Sequence, residues 1–159
     1  MMSMNNKLEE LILKDQNNIK SFRQGVISKD SFLLISREIS TAFLNFLGVH
    51  GFPYKDISLN DIYKAGITLG LHLDLKNMKA VFSKYVEKVP PDKIEAEHRA
   101  MFIDKILILS GKPQIYGTQF KISNDKMVEL LPVQDMKDLD KIRQKAGLKQ
   151  LNEYLNLIS

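Results

Sequence analysis

The chain has 159 residues, a formal charge of +4, 44% hydrophobic and 26% charged side chains. That is the composition of an ordinary globular protein, long enough to bury a core without covalent staples. It contains no cysteine, which excludes a disulfide framework, a thiolate nucleophile and cysteine-held zinc together.

The lysines lie scattered among acids, as in DKMVELLPVQDMKDLDKIRQK, the pattern of a solvated surface rather than of a phosphate-binding stripe. With no tryptophan and no basic cluster interleaved with aromatics, nucleic acid is not an expected partner. The opening MMSMNNKLEELILK lacks the apolar core of a secretory signal, and the most apolar run, FLLISREISTAFLNFLGV, is interrupted by Arg37 and Glu38. The expectation is therefore a cytoplasmic protein with no membrane partner. Residues 1–6 are expected to be a disordered or expression-derived start, and residues 7–159 a single globular domain.

Apolar residues recur at helical spacing in residues 7–23, and Gly25 ends that helix. Asp30 is the expected cap of a second helix running to Gly48. HGFPYKD reads as a turn, and Ser58 with Asp61 has the spacing of a capping box for a third helix carrying IYKAGITLGLHL. Asp74 caps a fourth, in which Met78, Val81, Phe82, Tyr85 and Val89 share a face, and Pro90 with Pro91 stops it. Asp92 opens a fifth, closed by Gly111.

The period then changes to two in QIYGTQFKIS and again in MVELLPV, with NDK between them, which predicts a hairpin. Two short helices follow, one over residues 137–146 ended by Gly147 and one around QLNEYLNLI. The fold class is thus mostly α: six to seven helices with one small antiparallel β-hairpin packed on them, since a lone hairpin is marginal in water.

The segment GKPQIYGTQF carries unusual polarity for a strand. A bulge at Gly117 would turn Gln119 to the side of Gln114 and Tyr116, so that two carboxamides and a phenol converge as ligand-binding groups. The alternative is an exposed ribbon face with solvated glutamines. In LGLHLDL, His72 is the candidate acid–base group, with Asp74 as a carboxylate that could orient it. The plainer alternative has His72 closing one helix and Asp74 capping the next.

A buried Asp104 would need a partner. Arg143 could supply it, or could serve instead as an anion clamp. Three histidines without HExxH spacing predict no metal site, and the absence of a phosphate loop or dinucleotide fingerprint predicts no cofactor.

At GKPQIYGTQF the chain resembles an uncharacterised bacterial family, a domain of unknown function with a Gly-x-Pro-Gln-x-Tyr-Gly-Thr-Gln signature. LILKDQNNIKSFR with Asp15 and Gln16, HGFPYKD, LGLHLDL, FIDKILILSGKPQ and the C-terminal PVQDMKDLDKIRQKAGLKQLNEYL are similar to further parts of it, so the resemblance runs from Lys7 to Leu157. Phe52 and Lys105 depart from the tryptophan and arginine usual there. The resemblance implies no stated activity, but it groups His72, Asp104, Gln114, Tyr116, Gln119 and Arg143 in one site.

Together these readings lead to a domain that binds a small polar molecule or peptide, with metal-free acid–base hydrolysis or isomerisation as one outcome and a non-catalytic binding or accessory module as the other. A third reading gives the glutamines purely structural work, bonded to backbone with no ligand. The oligomeric state is left open.

Overall fold

The computed structural model describes residues 4–54, 62–122 and 128–158. The chain forms two compact units, Met1–Lys93 and Ile94–Ser159.

The first unit holds four α-helices among its described residues: α1 Met4–Arg23, α2 Lys29–His50, α3 Tyr63–Leu71 and α4 Leu75–Lys88. Helix α1 begins at Met4, so residues 4–6, set aside above as a disordered start, are helical. It ends where Gly25 takes φ +68° and the Gly25 and Val26 amides return to the carbonyls of Phe22 and Ser21, the paired closure of a Schellman turn.

The cap of α2 is Ser28 and not Asp30. The Ser28 hydroxyl accepts from the Ser31 amide at 3.1 Å, because the residue that caps must stand one place outside the first helical position; Asp30 lies inside the first turn. The helix also runs through Gly48 to His50 and closes at Gly51, whose amide donates to Leu47. Length and composition alone would let α2 cross a bilayer. It nonetheless carries Arg37 and Glu38 at its middle and buries Ile39, Phe43 and Phe46.

Helix α1 packs along α2. Between them Asn18, 5% exposed, donates its amide to the Phe32 carbonyl at 3.1 Å and to the Ser36 hydroxyl at 3.0 Å. This polar staple helps fix the register of the two helices.

Helix α3 sits against the turn that follows α2. A Cβ placed on Gly66 would lie 2.5 Å from Pro53 Cγ, so only a bare backbone allows that approach. Asp74 caps α4 as expected, its carboxylate accepting from the Asn77 amide at 3.0 Å. Met78, Val81 and Tyr85 are buried along one face of α4, and Tyr85 packs on Phe52 with ring centroids 4.5 Å apart. The capping box expected at Ser58 and Asp61 lies outside the described residues.

The second unit holds α5 Ala96–Leu109, strands β1 Phe120–Ile122 and β2 Val128–Leu130, α6 Leu139–Lys145 and α7 Leu151–Ile158. Helix α5 opens at Glu95. Asp92, the expected cap, falls instead in a short 3₁₀ turn, Pro91–Lys93. Gly111 and Gly147 have φ of +72° and +75° and end α5 and α6 with the same two-bond closure.

The strands pair antiparallel, Phe120 opposite Leu130 and Ile122 opposite Val128. The NDK turn between them lies outside the described residues. The expected strand starting at Gln114 is shorter than the periodicity implied: residues 115–119 are not strand, and Gln114 makes only an isolated parallel bridge to Val133.

Two outcomes are expected. Gly66→Ala, favourable by helix propensity, lowers stability by about 1–3 kcal/mol in urea unfolding, because the added methyl meets the Pro53 ring. Asp74 has a pKa below 3.8, chiefly because the Asn77 amide bonds its charged form. Its contribution is thus fully present above that value and fades as pH falls through the lowered one. Asp74→Ala costs about 1 kcal/mol near neutrality, and the difference between variant and parent shrinks in acid.

Candidate functional site

The six residues singled out from the sequence divide between the two units. His72 belongs to the first; Asp104, Gln114, Tyr116, Gln119 and Arg143 belong to the second.

Asp104 is fully buried on α5. One carboxylate oxygen accepts from the Ile115 amide at 2.8 Å and the Tyr116 amide at 3.0 Å. The other accepts from the Thr118 amide at 3.0 Å and the Thr118 hydroxyl at 2.9 Å. A buried carboxylate is tolerable only when its lone pairs are met, and here the loop that follows the helix wraps around it. That is why residues 115–119 do not form a strand: amides aimed at Asp104 are unavailable to a ladder. Gly117, at φ +70°, supplies the reversal between the Tyr116 and Thr118 donors, in a space closed by Leu139, Leu151 and Leu130 side chains.

Gln114 closes the base of the same loop. Its side chain is fully buried, and its Nε2 donates to the carbonyls of Gln119 and Leu131, both at 2.8 Å. Its Oε1 accepts from the Gln119 amide at 2.8 Å. The carboxamide thus stands in for a strand residue, pairing with both polar groups of the Gln119 main chain. Both donors are spent and the acceptor is engaged, all on the main chain of Gln119 and Leu131.

Gln119 sends its Nε2 to the Thr118 hydroxyl at 3.2 Å. Only the Gln119 Oε1 and the Tyr116 hydroxyl remain without a hydrogen bond among the described residues.

Arg143, 1% exposed, makes no ion pair with Asp104 among the described residues. Its Nη1 donates to the Tyr116 carbonyl at 2.6 Å and its Nε to the Lys149 carbonyl at 2.7 Å. The guanidinium lies 4.9 Å from the Tyr154 ring centroid, a cation–π contact made in a dry setting. Burial pulls the Arg143 pKa below its ordinary value, opposed by Tyr154, Asp140, Asp104 and Glu97. Burial likewise raises the Tyr154 phenol above 10.0. Tyr116 is therefore gripped from both sides, its amide by Asp104 and its carbonyl by Arg143.

In the first unit the partner of His72 is Asp15, from α1, and not Asp74. The distance from His72 Nδ1 to Asp15 Oδ2 is 2.8 Å, and Gln16 also donates to that oxygen at 3.3 Å. The Asp15 side chain is 7% exposed and that of His72 40%. A carboxylate only accepts, so Nδ1 carries the hydrogen, and in the neutral form of the ring Nε2 is the acceptor. His72 stands at the end of α3, where its own amide closes the helix onto Thr68 and Leu69. Asp74 is occupied as the α4 cap. Asp15 entered the sequence reading only as half of an Asp-Gln pair; nothing local announces a partner 57 positions away.

The family model described as Family of unknown function (DUF6624) matches residues 76–159, and the chain belongs to that family. The match includes the whole Asp104–Gln114–Arg143 arrangement, while Asp15 and His72 lie before it. Neither a curated protein nor a solved structure matches the chain.

Asp104→Ala strands three amides and a hydroxyl, and is expected to cost about 3 kcal/mol or more in chemical denaturation. Gln114→Ala costs about 1–3 kcal/mol on the same grounds. Gln119→Ala, which removes only a side-chain contact to Thr118, shifts stability by less than about 0.5 kcal/mol.

Proposed function

We propose that the chain acts on a small polar molecule by acid–base chemistry at His72, in the cytoplasm, with Asp15 as the positioning residue. The observation that carries this reading is the 2.8 Å contact between a half-open imidazole and a nearly buried carboxylate. A carboxylate on Nδ1 fixes the tautomer and ring orientation and stabilises the imidazolium formed when Nε2 takes a proton. Hydrolysis and isomerisation both need such a base. The contact also serves the fold, since a nearly buried carboxylate needs a partner; the exposure of the ring is what favours a chemical role beside that one.

A second reading is a non-catalytic binding or accessory module for a metabolite, peptide or partner protein. The state of the second unit, where Asp104, Gln114 and Arg143 have given their polar capacity to the loop, supports neither reading; it supports structural work for the motif itself. On either reading we infer that the Gly111–Gln119 run is a structural signature of the family: it supplies the donors a buried aspartate requires.

The test is turnover of a panel of small esters, amides and carbonyl compounds by the parent chain, His72→Ala and Asp15→Asn. Acid–base catalysis predicts a loss of about 10²–10⁴-fold in His72→Ala at unchanged melting temperature, with Asp15→Asn impaired as well. Equal loss of melting temperature and of binding in His72→Ala supports the module instead.

A further inference from the structure

The observation here is independent of the His72–Asp15 pair. A cavity of about 350 Å³ opens beside the end of α2 and one face of α4, with Leu47, Phe52 and Val81 among its apolar lining and Lys84 and Lys88 among its polar residues. That volume lies at the lower end of small-molecule sites.

Its wall includes Gly48, and this residue is the telling one. Gly48 lies within α2, where glycine is less stable than alanine, yet a Cβ added there meets no atom of the described residues within 4 Å. The contrast with Gly66, which a neighbouring proline requires, is direct: packing against the protein does not call for a glycine at position 48.

The charge at the site is positive. Lys84 and Lys88 stand one turn apart on α4 and so share a face. Lys88 meets Glu87 at 2.6 Å, an exposed pair that is readily exchanged. Lys84 makes no ion pair among the described residues. The Asn77 amide, also at the cavity, already donates to Asp74 at 2.6 Å, so the lysines supply the recognition.

We propose that this cavity binds a small amphiphilic anion, a carboxylate with a short acyl or single-ring apolar body, with the body over Phe52 and Val81 against bare Gly48 and the head group at Lys84.

The probe is octanoate, compared with octanol and octylammonium, in calorimetric titration and in amide NMR of the full chain. Octanoate is expected to bind about tenfold or more tightly than either competitor, to shift the Gly48 and Val81 resonances, and to weaken as salt is raised. Gly48→Leu, whose side chain fills the space, is expected to abolish binding while the helix is retained. Lys84→Glu, an exposed substitution, is expected to weaken octanoate about tenfold and to leave octanol unchanged; it carries the test should the leucine variant fail to fold. Equal binding of octanoate and octylammonium, undiminished binding to a folded Gly48→Leu, or no perturbation at millimolar octanoate overturns the proposal.

Discussion

A carboxylate with no access to water is the constraint around which the second unit is organised. Asp104 on α5 cannot remain charged in that position without donors, and the loop that follows provides them from three backbone amides and one hydroxyl. Once those amides are aimed inward, the rest follows. The chain must reverse at a residue able to adopt positive φ, which is Gly117. The loop's ends must be joined without a ladder, which the Gln114 carboxamide does by imitating a peptide group. The Tyr116 carbonyl, turned away from Asp104, becomes the acceptor for Arg143, and through Arg143 the loop is tied to α6 and to the Lys149 carbonyl ahead of α7.

The first unit uses buried polar groups differently. Asn18 and Asp15 both lie on α1 and both are nearly buried. Asn18 is bonded to backbone and hydroxyl groups of α2, an arrangement that fixes packing and offers nothing outward. Asp15 is bonded to a ring with a second nitrogen and substantial exposure. Of the two, only the aspartate's partner can exchange a proton with something outside the fold. The chemistry of the reading rests on that difference.

Much of the helical architecture was legible because it depends on local signals. Asp74, the prolines at 90 and 91, Gly25, Gly111 and Gly147 mark ends whose geometry is determined within a few residues. Two helix starts misled the local signal: Ser28, not Asp30, caps α2, and α5 opens at Glu95, without a side-chain cap, rather than at Asp92. Gly48 was read as a helix end although a glycine three residues later, at 51, provides the actual closure.

The candidate site was legible as a grouping and not as a geometry. Asp104, Gln114, Tyr116, Gln119 and Arg143 do come together, but alternation in residues 114–120 suggested a ribbon with side chains on display. What turned the loop inward was a carboxylate ten or more positions earlier, and periodicity carries no information about where amides point. The Asp15–His72 contact was hidden for a similar reason: it joins two helices distant in sequence.

The central claim is that Asp104 holds the 115–118 loop through its amides. Native-state hydrogen exchange at Ile115, Tyr116 and Thr118, in the parent and in Asp104→Asn, reads this most directly. The account predicts slow exchange in the parent, through large-scale opening, and exchange faster by at least about tenfold in the variant than the change in global stability explains. Rapid exchange at these amides in the parent, or protection that survives the substitution, would contradict it.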